Sequence, residues 1–144
     1  MNNSIQKIKT TEECNILLKR ANDRKTDLEI KNYRKRKRYD SILRKRISIE
    51  DRTSEVDEEI SALQLTVQHL PEGQLKEDLI HRIVRLNHKK YMLGHAAKKN
   101  NWPGIITYQY RINSMEREVE VCDDLINRVT FQKQLIADNP VQSY

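Results

Sequence analysis

The sequence predicts an all-α fold, either an antiparallel helical hairpin or coiled coil or an elongated three- to four-helix bundle, and three observations carry that prediction. Turn formers are scarce: the 144 residues include three Gly and three Pro, far fewer than a chain of many short strands needs. Lys, Arg, Glu, Leu and Ile dominate, which is the composition of long helices. A 4-3 spacing runs from Cys14 through Leu18, Ala21, Lys25, Leu28, Asn32, Lys35, Tyr39, Ile42, Arg46, Ile49, Thr53, Val56, Ile60, Leu63 and Val67 to Leu70, which is a heptad repeat. Charged residues make up 33% of the chain and hydrophobic ones 37%, so its helices carry narrow seams and broad solvated faces. Extended hairpins suit that balance better than a compact globule.

Residues 1–9 are expected to be a flexible N-terminus, and 10–138 a single helical domain with helices at about 10–46, 53–70, 74–99 and 104–138. The heptad seam is mostly apolar from Tyr39 onward, whereas Lys25, Asn32 and Lys35 interrupt it earlier and predict the least buried stretch at 19–38. Whether 46–54 is helix or hinge stays open. No Gly or Pro marks a break there, yet Arg44-Lys45-Arg46 suits a helix C-terminus, and Thr53-Ser54 followed by Glu55, Asp57, Glu58 and Glu59 suits an N-cap with an acidic first turn. Unbroken, residues 10–70 span about 90 Å at 1.5 Å per residue.

Leu70-Pro71-Glu72-Gly73 ends that pattern and reverses the chain. The next helix carries Leu79, Ile80, Ile83, Val84, Leu86, Tyr91, Met92, Leu93 and Ala97, a face too wide for one seam, which predicts contact with two other helices. Asn100-Asn101-Trp102-Pro103-Gly104 is the second turn, since Asn suits a helix cap and proline a first helical turn. The last helix has a stripe of Ile112, Met115, Val119, Cys122, Ile126, Val129 and Ile136, widened by Ile105, Ile106, Tyr108 and Leu125. Residues 139–144 are expected to form a flexible tail.

The N-terminal segment lacks a secretory h-region, and no run of about 18 apolar residues occurs, so a soluble cytoplasmic protein with no membrane partner is expected. Cys14 and Cys122 show neither CxxC nor Cys/His spacing; they are read as small packed residues rather than as a disulfide or zinc pair.

The formal charge of +6 is uneven. Residues 1–50 carry 15 Lys and Arg against 7 Asp and Glu, so the basic half either meets an anionic partner or packs on the acidic one. In an antiparallel hairpin turning at Pro71, Arg24, Lys31, Arg38 and Lys45 run beside the returning chain, and Arg24 falls near Glu118. Part of the asymmetry is then internal pairing. A candidate surface for an anionic partner remains: Arg24, Lys31, Arg34, Lys35, Arg36, Lys37, Arg38, Arg44, Lys45 and Arg46. Such charge density attracts phosphate, and Tyr33 and Tyr39 flank the run where bases could stack. Without zinc-finger spacing, a helix-turn-helix glycine turn or an RNP-type strand, the run reads first as a solvated helix face.

His81, His88 and His95 recur every seven residues, about 10.5 Å apart along a helix, too far for one metal. They are expected to face solvent opposite the Leu79, Ile83, Leu86 and Leu93 seam. Asp78 and His81 have the i, i+3 geometry of helical di-iron sites but lack the second pair such a site needs. No glycine-rich phosphate loop or Gly-x-Ser-x-Gly is present, so neither catalysis, nor a cofactor, nor a small-molecule substrate is expected. Tyr91-Met-Leu93-Gly94-x-Ala96 with Trp102-Pro103-Gly104 and Tyr108 and Tyr110 resembles one tetratricopeptide helix pair over about 30 residues. Nothing 34 residues upstream repeats it, so it is read as a helix-turn-helix in which small Gly94 permits close helix approach.

Taken together, these features point to a non-catalytic helical interaction protein, such as a scaffold, adaptor or assembly subunit, whose partner is another protein or a second copy. Leu18, Leu28, Ile30 and Tyr39 are the candidate protein-interaction seam, left partly uncovered by a two-stranded face. Nucleic-acid binding through the basic run at 24–46 is the alternative.

Overall fold

The computed structural model describes residues 2–139, and within them every regular element is a helix. A short α1 (Asn2–Ile5) precedes α2 (Thr11–Gln68), α3 (Gln74–Lys99) and α4 (Trp102–Asp138). The N-terminal residues expected to be flexible thus include a helical turn, followed by turn bonds from Lys7 N to Ser4 O and from Ile8 N to Ile5 O. Met1 and residues 140–144, the rest of the expected flexible ends, lie outside the described residues.

Local chemistry sets each boundary. Thr10 caps α2: its Oγ1 accepts from the backbone N–H of Glu13 at 3.2 Å, with Glu12 and Glu13 in the first turn against the positive end of the helix dipole. No Gly or Pro follows until Pro71, and α2 continues unbroken through 46–54. Thr53, which resembles an N-cap in sequence, instead donates its hydroxyl back to the Ile49 carbonyl at 2.7 Å, as a mid-helix threonine does. At the far end His69 N and Leu70 N bond three residues back, tightening the last turn. Gly73 then takes φ 156° and ψ −177°, a region in which side chains are strained, so glycine is required for the reversal.

The α3–α4 corner is made by two asparagines. Asn100 ends α3, its backbone N–H and Nδ2 both donating to Ala96 O. Asn101 serves both helices: Nδ2 donates to Lys98 O at 2.9 Å, while Oδ1 accepts from Gly104 N at 2.8 Å. Because Asn101 is the N-cap, α4 starts at Trp102, two residues before the expected start at about 104, with Pro103 in its first turn.

The chain divides into two compact units. The first comprises residues up to Lys37 and from Tyr108 onward. Arg24–Glu118 at 3.0 Å, Lys25–Asp123 at 2.6 Å and Gln132 Nε2 to Ile8 O at 3.0 Å fix α2 and α4 as antiparallel within it. Cys14, Ala21, Leu28, Ile112 and Val129 are its buried apolar residues. The second, Arg38–Thr107, pairs α2 with α3, again antiparallel, as Asp57–Lys90 at 2.6 Å and the Glu59–Arg82 ion pair show. Ile49, Val56, Ile60 and Leu93 form its core, with Ile83, Leu86, Ala96 and Ala97 packed around them.

Every position of the 4-3 seam from Cys14 to Leu70 is buried or half-buried, including the polar Lys25, Asn32, Lys35 and Arg46. By contrast, the wide face of α3 does not touch two helices. Ile83, Leu86 and Leu93 face the core, while Ile80, Val84, Tyr91 and Met92 stay exposed, because α2 covers only one side of α3. Among the described residues no helix is long and apolar enough to cross a membrane.

Candidate functional site

Two surfaces bear on the partners expected from the sequence: the basic face of α2 and the apolar side chains that internal packing leaves exposed. Internal contacts claim much of the basic run. In the first unit, Arg24 bridges Asp27 and Glu118, Lys31 pairs with Asp27 at 3.0 Å, and Arg36 pairs with Glu116. Lys35 lies 5.8 Å from the Tyr108 ring centroid, and Lys37 lies 4.7 Å from that of Tyr33. The pairing of Arg24 with Glu118 is the one the hairpin register implies. Arg34 is exposed and makes no ion pair among the described residues.

In the second unit Arg46 is not a surface base. Its Nη1 donates to the carbonyls of Ala97 at 2.9 Å and Asn100 at 3.4 Å, and its Nε to Glu50 at 2.9 Å, with the guanidinium 5.9 Å from the Trp102 ring centroid. The side chain neutralises the C-terminus of α3. The basic triplet that resembles a cap for α2 thus caps a different helix, and Arg46 is withdrawn from any anionic-partner surface. Trp102 Nε1 donates to the same Glu50 oxygen at 2.9 Å; the Arg46 and Trp102 hydrogen bonds together hold the Glu50 carboxyl below its ordinary range. Arg38, Arg44 and Lys45 are exposed and make no ion pair among the described residues.

The seam candidates divide. Leu28 is only 3% exposed and is unavailable to a partner, because the polar seam residues beside it do not keep α4 away. Lys25 meets Asp123 instead, and this hydrogen bond pushes its ammonium above the ordinary lysine range. Leu18 and Tyr39 are half-buried, and Ile30 is exposed. The face that sequence reasoning missed as an open surface is the outer side of α3. Its apolar residues were visible in the sequence, but only the structure shows them uncovered.

Gly94 belongs to that face. A Cβ placed there meets nothing within 4 Å, so the glycine does not serve a close approach within the chain, contrary to the helix-turn-helix reading. A mid-helix glycine costs about 1 kcal/mol relative to alanine, and nothing inside the second unit offsets that cost. His88 and His95 lie along the same side, both against Tyr91, with ring centroids 6.5 Å and 4.6 Å away. His81, His88 and His95 are all exposed.

Elsewhere, Cys14 is buried and Cys122 half-buried, both as free thiols, and burial pushes the Cys14 thiol upward. Asp78 accepts from Gln74 Nε2 at 2.8 Å rather than pairing with His81. Among the described residues no group of three or more His, Cys, Asp or Glu is arranged to hold a metal. In the first unit, Ile5 and Gln6 lie along Asn127, Phe131 and Leu135 of α4, lining an open groove. Comparisons of the chain with protein-family models, with characterised proteins and with solved structures find no match.

Proposed function

We propose that the chain is a non-catalytic helical interaction protein, a scaffold, adaptor or assembly subunit acting through coiled-coil type contacts with another protein or a second copy. The observation that carries this is on α3: α2 takes the seam side, and Ile80, Val84 and Tyr91 remain exposed on a second, heptad-spaced side. Apolar residues at helical spacing on a helix already packed elsewhere form a second seam. Light scattering coupled to size exclusion, at low and high salt and with a mixed pool of short DNA and RNA, tests it. A salt-resistant dimer or larger species that ignores nucleic acid is the expected result. A chain that stays monomeric throughout counts against self-association.

The alternative, nucleic-acid binding, is favoured by one observation: Arg34 in the first unit and Arg38, Arg44 and Lys45 in the second are exposed and make no ion pair among the described residues. Phosphate contacts of this kind are sequence-independent and steeply salt-dependent. A monomer that shifts only with nucleic acid and releases it at high salt selects this reading. Reversing Arg38, Arg44 and Lys45 to Glu then abolishes the shift without unfolding the chain.

A further inference from the structure

We infer that the outer face of α3, formed by Ile80, Val84, Asn87, Tyr91, Gly94 and Lys98, is a self-association face occupied by α3 of a second copy running antiparallel. This rests on the interaction reading and names its partner, face and direction.

The spacing of these six residues is 4-3-4-3-4, and that sequence of steps reads the same from either end. Two copies related by a twofold axis therefore lay one stripe on the other in register. Val84 of one copy then meets Gly94 of the second, where the absent side chain leaves room for it. Asn87 meets Tyr91, and Ile80 packs along the aliphatic stem of Lys98. Gly94, unused inside the chain, acquires a reason: it sits opposite a branched side chain.

Charge selects a second copy in this direction. Glu77 stands one turn before Ile80, and Lys98 closes the stripe; both are exposed, and neither makes an ion pair among the described residues. Antiparallel pairing puts Glu77 of each copy beside Lys98 of the second, whereas parallel pairing sets like beside like. Antiparallel helix dipoles add to the same preference. Although α3 is basic overall, its charge does not oppose the pairing. Arg82 and Lys90 are already paired with Glu59 and Asp57, while Arg85 and Lys89 lie on the opposite side of the helix by its 100° step. The stripe covers about 27 Å at 1.5 Å per residue, a short interface, so the pairing is reversible and concentration-dependent.

Sedimentation equilibrium of the full chain over a concentration series, with Val84→Glu/Tyr91→Glu, Glu77→Lys, Lys98→Glu and the Glu77→Lys/Lys98→Glu double variant, tests this. The wild type is expected to dimerise, and Val84→Glu/Tyr91→Glu to weaken dimerisation at least a hundredfold while circular dichroism stays unchanged. Each single charge change should weaken it several-fold and the double variant restore it. Gly94→Leu gives a second check: it has open space in the monomer, yet is expected to weaken the dimer as strongly as the double glutamate. A dimer that survives both Val84→Glu/Tyr91→Glu and Gly94→Leu overturns the face and leaves the interaction reading standing. Loss of the dimer without charge-swap rescue overturns the antiparallel register. A wild type monomeric at every concentration overturns the self-pairing outright, and the interaction reading is then judged by its own test.

Discussion

The two units use one heptad pattern to different ends. In Arg38–Thr107 the seam converges on Ile49, Val56, Ile60 and Leu93, so the unit is held by apolar burial. In the other unit the same seam passes through Lys25, Asn32 and Lys35, and α2 meets α4 there through Asp123 and the Tyr108 ring. Polar seam positions contribute little net stability, but they permit few alternative alignments, since a slip strands a charge against an apolar partner. The comparison shows that both stretches of the helix bury apolar residues, Cys14, Ala21 and Leu28 in one and Ile49, Val56 and Ile60 in the other, while the polar positions at Lys25, Asn32 and Lys35 add register to the first.

The largest effect expected from breaking this contrast is in the apolar core. Ile60→Ala should cost about 3 kcal/mol in chemical denaturation, since Ile60 is 8% exposed within the cluster. Next comes the corner: Arg46→Ala removes charged donors from the Ala97 and Asn100 carbonyls and should cost about 2 kcal/mol, with faster amide exchange in the last turn of α3. A smaller change of opposite sign is expected at Asn32, whose Oδ1 is buried without a partner. Asn32→Leu should stabilise the first unit by about 1 kcal/mol while relaxing the specificity of its register.

Proton linkage gives the finest distinction. Glu50 is held below its ordinary range by Arg46 and Trp102, so its contribution is complete above the unfolded value, about 4.3, and is lost as pH falls through the folded one. Trp102→Phe should raise the Glu50 midpoint in a carboxyl NMR titration and move that loss to higher pH. Lys25 is raised by Asp123; its contribution is complete below about 10.4 and is lost as pH rises through the folded value. Alkali above about pH 10.4, and not milder, should therefore loosen the first unit ahead of the second, as the near-ultraviolet signal and chemical shifts around Lys25 and Asp123 would show.

Much of this was legible in the sequence because it is periodic. The 4-3 list from Cys14 to Leu70 picks out the buried side of α2 even where it is polar, and the antiparallel hairpin it implies puts Arg24 beside Glu118, where the two pair. What stayed hidden depends on which partner a motif serves. Arg44-Lys45-Arg46 has the chemistry of a helix cap, but sequence cannot show that Arg46 reaches the end of α3 rather than that of α2. Likewise Ile80, Val84 and Tyr91 are apolar at helical spacing, yet only the fold shows that they stay exposed among the described residues. Gly94 failed as a packing clue for the same reason: its space opens outward.

Connectivity adds a temporal dimension. The first unit is assembled from both ends of the chain, and Gln132 reaching Ile8 joins residues 124 positions apart, whereas Arg38–Thr107 is one contiguous segment with both turns inside it. Each doubling of an open loop costs about 0.6 kcal/mol of chain entropy, so the contiguous segment closes first and shortens the distance left for the ends to search. Folding is thus expected to run from the middle of the chain outward, and pulsed hydrogen exchange should protect the amides around Leu93 before those around Gln132.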